Sequence, residues 1–66
     1  MTAAEYRETL DSIGWSAREV ARRLGVSAAS AQRWRLGRAP VPAAIATWLR
    51  RIEDAVTRHP PPPAPE

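Results

Sequence analysis

Apolar residues recur at steps of three and four positions along much of the chain, which is the period of an amphipathic α-helix. This pattern predicts a first helix over residues 2–13. Tyr6, Leu10 and Ile13 share one face of that helix. A longer amphipathic helix is predicted over residues 42–58. Its apolar positions are Ile45, Trp48, Leu49, Ile52, Ala55 and Val56.

Between these segments lie two shorter helical patterns, each opened by a serine and closed by a glycine. Ser16 and Ser27 carry the hydroxyl that accepts a hydrogen bond from a first-turn backbone N–H group. Glu19 follows Ser16 at the spacing of a reciprocal capping box. Gly25 and Gly37 follow the last apolar residues, where glycine ends a helix in the left-handed conformation at the lowest cost. The sequence therefore predicts a compact all-α domain of four or five helices, with the two central helices joined by a tight turn.

Positive charge is concentrated in this central stretch. All ten basic residues of the chain are arginine. Residues 18–38 hold six of them and one acid, Glu19, for a net charge of +5, whereas the remaining residues sum to −2. Such a distribution favours phosphate binding, and a solvated helical face is the alternative. Acids on the first helix would repel DNA, so that helix is expected on the side away from a DNA surface.

A set of motif residues runs through the central stretch at fixed spacing. The set consists of Gly14, Glu19 to Ala21, Leu24-Gly25-Val26-Ser27, and Arg33-Trp34 followed by Gly37-Arg38. In these residues the chain, roughly from Tyr6 to Ile52, resembles the lambda-repressor-like helix-turn-helix family, also called the Xre/Cro/cI type. The resemblance implies sequence-specific binding of double-stranded DNA. Two departures are Ala17, where the family often has glutamine, and the pair Ala28 and Ala29, where many relatives have polar readers.

Candidate contact residues follow from the two-helix pattern, since such motifs insert the N-terminal half of the second helix into the major groove. The expected base-reading residues are Ser27, Ala28, Ala29, Gln32 and Arg33. The expected phosphate-binding residues are Ser16, Ala17, Arg18, Arg22, Ser30, Arg35 and Arg38. Ala17 is included for its backbone N–H group, which is available at a helix N-terminus.

The last predicted helix has more apolar surface than a small domain readily buries. Leu49, Ile52 and Val56 form a narrow stripe at steps of three and four, of the kind that pairs two helices. We therefore expect a two-fold homodimer and an inverted-repeat operator with half-sites about 34 Å apart. The alternative is that Leu49 and Val56 fold under the first helix, leaving a monomer that dimerises only on DNA.

Composition argues against several other classes of protein. There is no cysteine and only one histidine, His59, so we expect no metal site and no cofactor. No carboxylate pair or phosphate-cradling glycine loop indicates an enzyme. No apolar run approaches a membrane span, so a cytoplasmic, nucleoid-associated protein without a small-molecule effector is expected. Residues 1–58 are predicted to form the DNA-binding domain, and residues 59–66 a disordered proline-rich tail.

The predicted function is that of a small transcriptional repressor, because blocking a promoter requires only binding. Size and analogy indicate a phage or mobile-element regulator, such as an anti-CRISPR-associated repressor. Two alternatives stay open. One is an architectural or excisionase-type factor that bends DNA. The other is an antitoxin-like protein-interaction module whose arginine face meets an acidic protein surface.

Overall fold

The computed structural model describes residues 1–60 and residue 62. This part of the chain contains four α-helices and no β-strand, so the predicted all-α class is confirmed. The helices are α1 (Ala3–Ile13), α2 (Ala17–Leu24), α3 (Ala28–Leu36) and α4 (Ala43–Arg58). None of them combines the length and the hydropathy that crossing a bilayer requires. Most of the tail predicted over residues 59–66 lies outside the described residues.

The helices begin within one residue of their predicted starts and end where the sequence predicted. At the start of α1 the Thr2 hydroxyl accepts from the Glu5 backbone N–H at 3.1 Å, and the Glu5 carboxylate accepts from the Thr2 N–H at 3.0 Å. Ser16 and Ser27 cap α2 and α3 with single bonds of 3.1 Å. Gly25 ends α2 with φ of +71°, a conformation that side chains disfavour. Local hydrogen bonds therefore set the bounds of the three shorter helices.

Tyr6 joins α1 to α3 at the centre of the core. Its ring meets the ring of Trp34 edge-on, with centroids 6.1 Å apart, and its hydroxyl donates to the Ala31 carbonyl at 3.2 Å. Burial raises the pKa of the Tyr6 hydroxyl. α1 also packs against α4, and α2 packs against α3. The buried apolar residues are Tyr6, Leu10, Ala17, Val20, Ala21, Ala31, Trp34, Val41, Ala46 and Leu49.

The structure corrects the assignment of one residue on α4. Leu49 is 0% exposed and belongs to the core of the chain, so its assignment to a dimer interface is wrong. Ile52 and Val56 are half-buried and lie outside the core cluster. The apolar positions of α4 span a wide arc, and helical spacing alone does not tell which part of that arc faces α1. α4 turns Leu49 inward and leaves Ile52 and Val56 at the edge.

Candidate nucleic-acid interface

α3 has two contrasting faces. Ala31 and Trp34 face the core, with exposed fractions of 0% and 7%. The opposite face is exposed, except that Gln32 is half-buried. Residues at steps of three and four share a face of a helix, so this outer face contains Ala29, Gln32, Arg33 and Leu36. α3 carries no acidic residue. Its outer face therefore combines a polar amide, apolar side chains and a positive charge.

The first turn of α3 exposes short side chains. Ala28 and Ala29 are exposed and present only methyl groups. The hydroxyls of Ser27 and Ser30 lie 3.0 Å apart, so one donates to the other. The Ser27 hydroxyl also accepts from the Ser30 backbone N–H at 3.1 Å. This end of α3 can therefore approach another surface closely, with one hydroxyl donor of the serine pair still available.

Gln32 is held by a neighbour on the same helix. Its carboxamide oxygen accepts a hydrogen bond of 3.3 Å from Nε of Arg35. The amide nitrogen of Gln32 and the terminal nitrogens of Arg35 make no hydrogen bond to any described residue. Arg7 on α1 donates to the Arg35 backbone carbonyl at 2.7 Å, across 28 positions of sequence. Sequence periodicity carries no signal for such a link, and Arg7 was not among the predicted site residues.

The six arginines between residues 18 and 38 are not equivalent. Three of them are exposed and make no side-chain hydrogen bond or ion pair with any described residue: Arg18, Arg33 and Arg38. These side chains keep their full complement of N–H donors and their unbalanced charge. They are the best placed of the six to bind phosphate or base edges.

Glu19 occupies two of the other arginines. Its carboxylate binds Arg22 at 2.6 Å and Arg23 at 2.8 Å through the same oxygen. The hydrogen bond from Arg22, with a further one from Arg23, lowers the pKa of Glu19 to about 2. The Ser16 cap is therefore only half of the predicted capping box, because the Glu19 side chain turns to the arginines. Arg22, predicted to bind phosphate, already has an internal anion as its partner.

Arg23 is further committed to an aromatic stack. Its guanidinium carbon lies 4.3 Å from the ring centroid of Trp15. The Trp15 ring packs against the Trp48 ring of α4 with centroids 5.6 Å apart. A cation over an aromatic face is attracted to the ring electrons. This stack links the end of α2 to α4. The Arg23 guanidinium therefore takes part in the packing between these two helices.

A groove of about 410 Å³ brings together predicted residues from two helices. Ser16 and Arg18 at the start of α2 line it with Gln32 and Arg35 of α3. Ala17 also lines the groove, although its side chain is buried and only its backbone N–H is suited to a ligand. The first turn of α2 and the middle of α3 therefore border one concave surface.

The same groove corrects the expected position of α1. Asp11 lines it together with Arg7 and Leu10, so the C-terminal half of α1 borders the predicted DNA surface. The expectation that α1 lies on the far side is wrong for this half, because α1 packs directly against α3. Asp11 adds one negative charge at the edge of a positive groove. Arg38 lines a separate groove of about 360 Å³ beside Met1 and Ala3.

Comparisons with protein-family models, with curated proteins and with solved structures found no match.

Proposed function

We propose that the chain binds double-stranded DNA sequence-specifically through α3, in a lambda-repressor-like arrangement. The observation that carries the proposal is the outer face of α3, which has an amide, an arginine that pairs with no described residue, small side chains, and no acid. Amides and arginines form paired hydrogen bonds with purine edges in the major groove, and alanine contacts the thymine methyl group. Base readers are Ser27, Ala28, Ala29, Gln32 and Arg33.

Phosphate contacts surround this face in the proposed complex. Arg18, Arg35 and Arg38 supply guanidinium groups. The N–H groups at the start of α2 bind a phosphate oxygen at the positive end of the helix dipole, beside the Ser16 hydroxyl. Arg22 contributes less, because its ion pair with Glu19 would have to break. The groove that joins α2 to α3 supports this division of roles, since Arg18 and Arg35 both line it.

A dimer with two copies of α3 would read an inverted repeat with half-sites about 34 Å apart. Ile52 and Val56 on α4 form the pairing stripe in this proposal. They are half-buried, outside the core, and one helical turn apart. A dimer of this kind occupies a promoter without an effector or catalytic step. The proposed role is therefore that of a small repressor working at the nucleoid.

The deciding experiment is selection from a random duplex library followed by titration of the selected duplex and a scrambled duplex. We expect selective enrichment of an inverted repeat and a specific affinity well above that for the scrambled duplex. A dimer neutralising about 6 to 10 phosphates should lose on the order of 10³ or more in affinity between about 50 and 200 mM salt. Arg18→Ala should reduce affinity for both duplexes and make the salt dependence less steep.

The matched control is Arg51→Ala. It removes the same charge from an exposed arginine of α4 that pairs with no described residue. Arg51 lines neither of the two grooves that contain Arg18, Arg35 and Arg38, so this variant should leave duplex binding nearly unchanged. Equal effects of Arg18→Ala and Arg51→Ala would indicate attraction by net charge alone. Weak binding to every duplex with a flat salt dependence would contradict the proposal itself.

A further inference from the structure

Leu36 is an exposed aliphatic residue at the end of α3. Its exposed fraction is 48%. Among the described residues, the one other large hydrophobic residue that is exposed is Val26, at 38%. Single exposed apolar side chains are common on protein surfaces and by themselves need no explanation. The position of Leu36 is informative because Gln32 and Arg33 precede it by one turn on the same face. It therefore belongs to the proposed DNA-reading surface.

The outer face carries single methyl groups in its first turn and larger side chains beyond it. Ala28 and Ala29 in the first turn carry single methyl groups, whereas Gln32, Arg33 and Leu36 reach further from the helix axis. This contrast suits a helix whose N-terminal end lies deepest in a groove, since small side chains allow the first turn to approach the bases closely. The nine residues of α3 extend about 13.5 Å, close to the roughly 12 Å width of the major groove. With the first turn of α3 in the groove, its last turn, which contains Leu36, therefore still lies beside the groove.

We propose that Leu36 is a specificity-determining residue that packs on the C5 methyl group of a thymine in the major groove. This inference rests on the proposed function. Leu36 has no hydrogen-bonding group, and the thymine methyl is the apolar feature that distinguishes base pairs in that groove. Burying the methyl against the leucine removes apolar surface of both from water.

The geometry also specifies where this thymine lies. Leu36 follows Arg33 by three residues, which corresponds to about 4.5 Å along the helix axis. Base pairs are spaced by about 3.4 Å, so the thymine lies about one or two base pairs from the guanine that Arg33 reads. It lies on the side of that guanine that is away from the bases contacted by Ala28 and Ala29.

The test uses the duplex selected by the unaltered chain, with each thymine replaced in turn by deoxyuridine. This replacement removes only the methyl group. One replacement near the Arg33 guanine should weaken binding by about fourfold, the value of one buried methylene-sized group. Leu36→Ala should bind the thymine and deoxyuridine duplexes equally. Leu36→Met, which keeps an apolar side chain of similar reach, should retain most of the discrimination.

Val26→Ala is the matched control, since it truncates the other exposed aliphatic residue and should keep the full fourfold discrimination. Circular dichroism establishes that all three variants are folded. The inference is overturned if no thymine near that guanine is sensitive to methyl removal, or if Leu36→Ala keeps the discrimination. If the unaltered chain enriches no sequence at all, the proposed function fails and this inference falls with it.

Discussion

The hydroxyl of Tyr6 donates a hydrogen bond of 3.2 Å to the backbone carbonyl of Ala31, which lies 25 positions further along the chain. Both residues are fully buried. Together with the edge-on contact between the Tyr6 and Trp34 rings, this bond holds the inner face of α3 against α1, and the opposite side chains of α3 face outward. The orientation of the proposed reading face therefore depends on a residue that does not belong to it.

Tyr6→Phe should lower the free energy of unfolding by about 0.5 to 1.5 kcal/mol, the usual net value of such a hydrogen bond. The Ala31 carbonyl keeps its helical partner, so the loss should stay in this range. Urea denaturation at fixed protein concentration measures the change. Tyr6→Leu should cost more, because it also removes the edge-on contact with Trp34. Equal midpoints for Tyr6→Phe and the unaltered protein would show that the bond contributes nothing.

The protein should lose stability in acid as the carboxylate of Glu19 becomes protonated. Its pKa falls from an ordinary 4.5 to about 2 in the folded protein, so the unfolded chain binds more protons between these values. The stability that this carboxylate provides is present above about pH 4.5 and is lost as the pH falls towards 2. Glu19→Gln should flatten this part of the stability curve, measured as urea midpoints from neutral pH to pH 2. Some pH dependence should remain in Glu19→Gln, because the hydrogen bond from the Thr2 backbone N–H also lowers the pKa of Glu5.

The quantity that Glu19 should change is the slope of stability against pH, not the stability at a single pH. The side chains of Arg22 and Glu19 are exposed by 70% and 28%, so salt should weaken their attraction. When the urea midpoints are measured again at high salt, the pH dependence of the unaltered protein and that of Glu19→Gln should therefore become more similar. Parallel curves for the two proteins at low salt would contradict a stabilising role for the Glu19 cluster.

Arg33→Ala should weaken binding to the selected duplex by about 1 to 3 kcal/mol and relax the preference for guanine at one base pair. The reason is that the Arg33 guanidinium is exposed and has no side-chain partner among the described residues, so its donors are available to the paired acceptors of a guanine. Anisotropy titrations with each base pair substituted in turn measure the change. An equal loss on selected and scrambled duplexes would assign Arg33 to phosphate binding instead.

Ile52→Glu or Val56→Glu should reduce self-association while the chain stays folded. Both side chains lie outside the core cluster, so a charge there should interfere with a partner helix and leave the domain intact. Sedimentation equilibrium of the free protein measures the effect. Leu49→Ala is the contrasting variant and should cost about 2 to 5 kcal/mol of stability, because Leu49 is fully buried. A monomeric parent at micromolar concentration would rule out this interface in the free protein.

The bounds of the helices follow from the sequence because their causes are local. Each of the three shorter helices starts at a hydroxyl residue and stops at a glycine, and the bonds involved span only a few positions. The pairing of Glu19 with Arg22 and Arg23 is equally local, at steps of three and four. The spacing of Glu19 fits both a capping box with Ser16 and ion pairs with Arg22 and Arg23, and in the structure the carboxylate binds the arginines.

The tertiary structure alone decided which residues of each helix face the core. Leu49 and Val56 have the same apolar character and both fit the period of α4, yet only Leu49 is fully buried. The placement of Asp11 in the groove and the bond from Arg7 to the end of α3 likewise depend on how α1 lies against α3. A helical period determines that one face is apolar. The neighbouring helix determines which part of that face is covered, because burial depends on contacts between residues far apart in sequence.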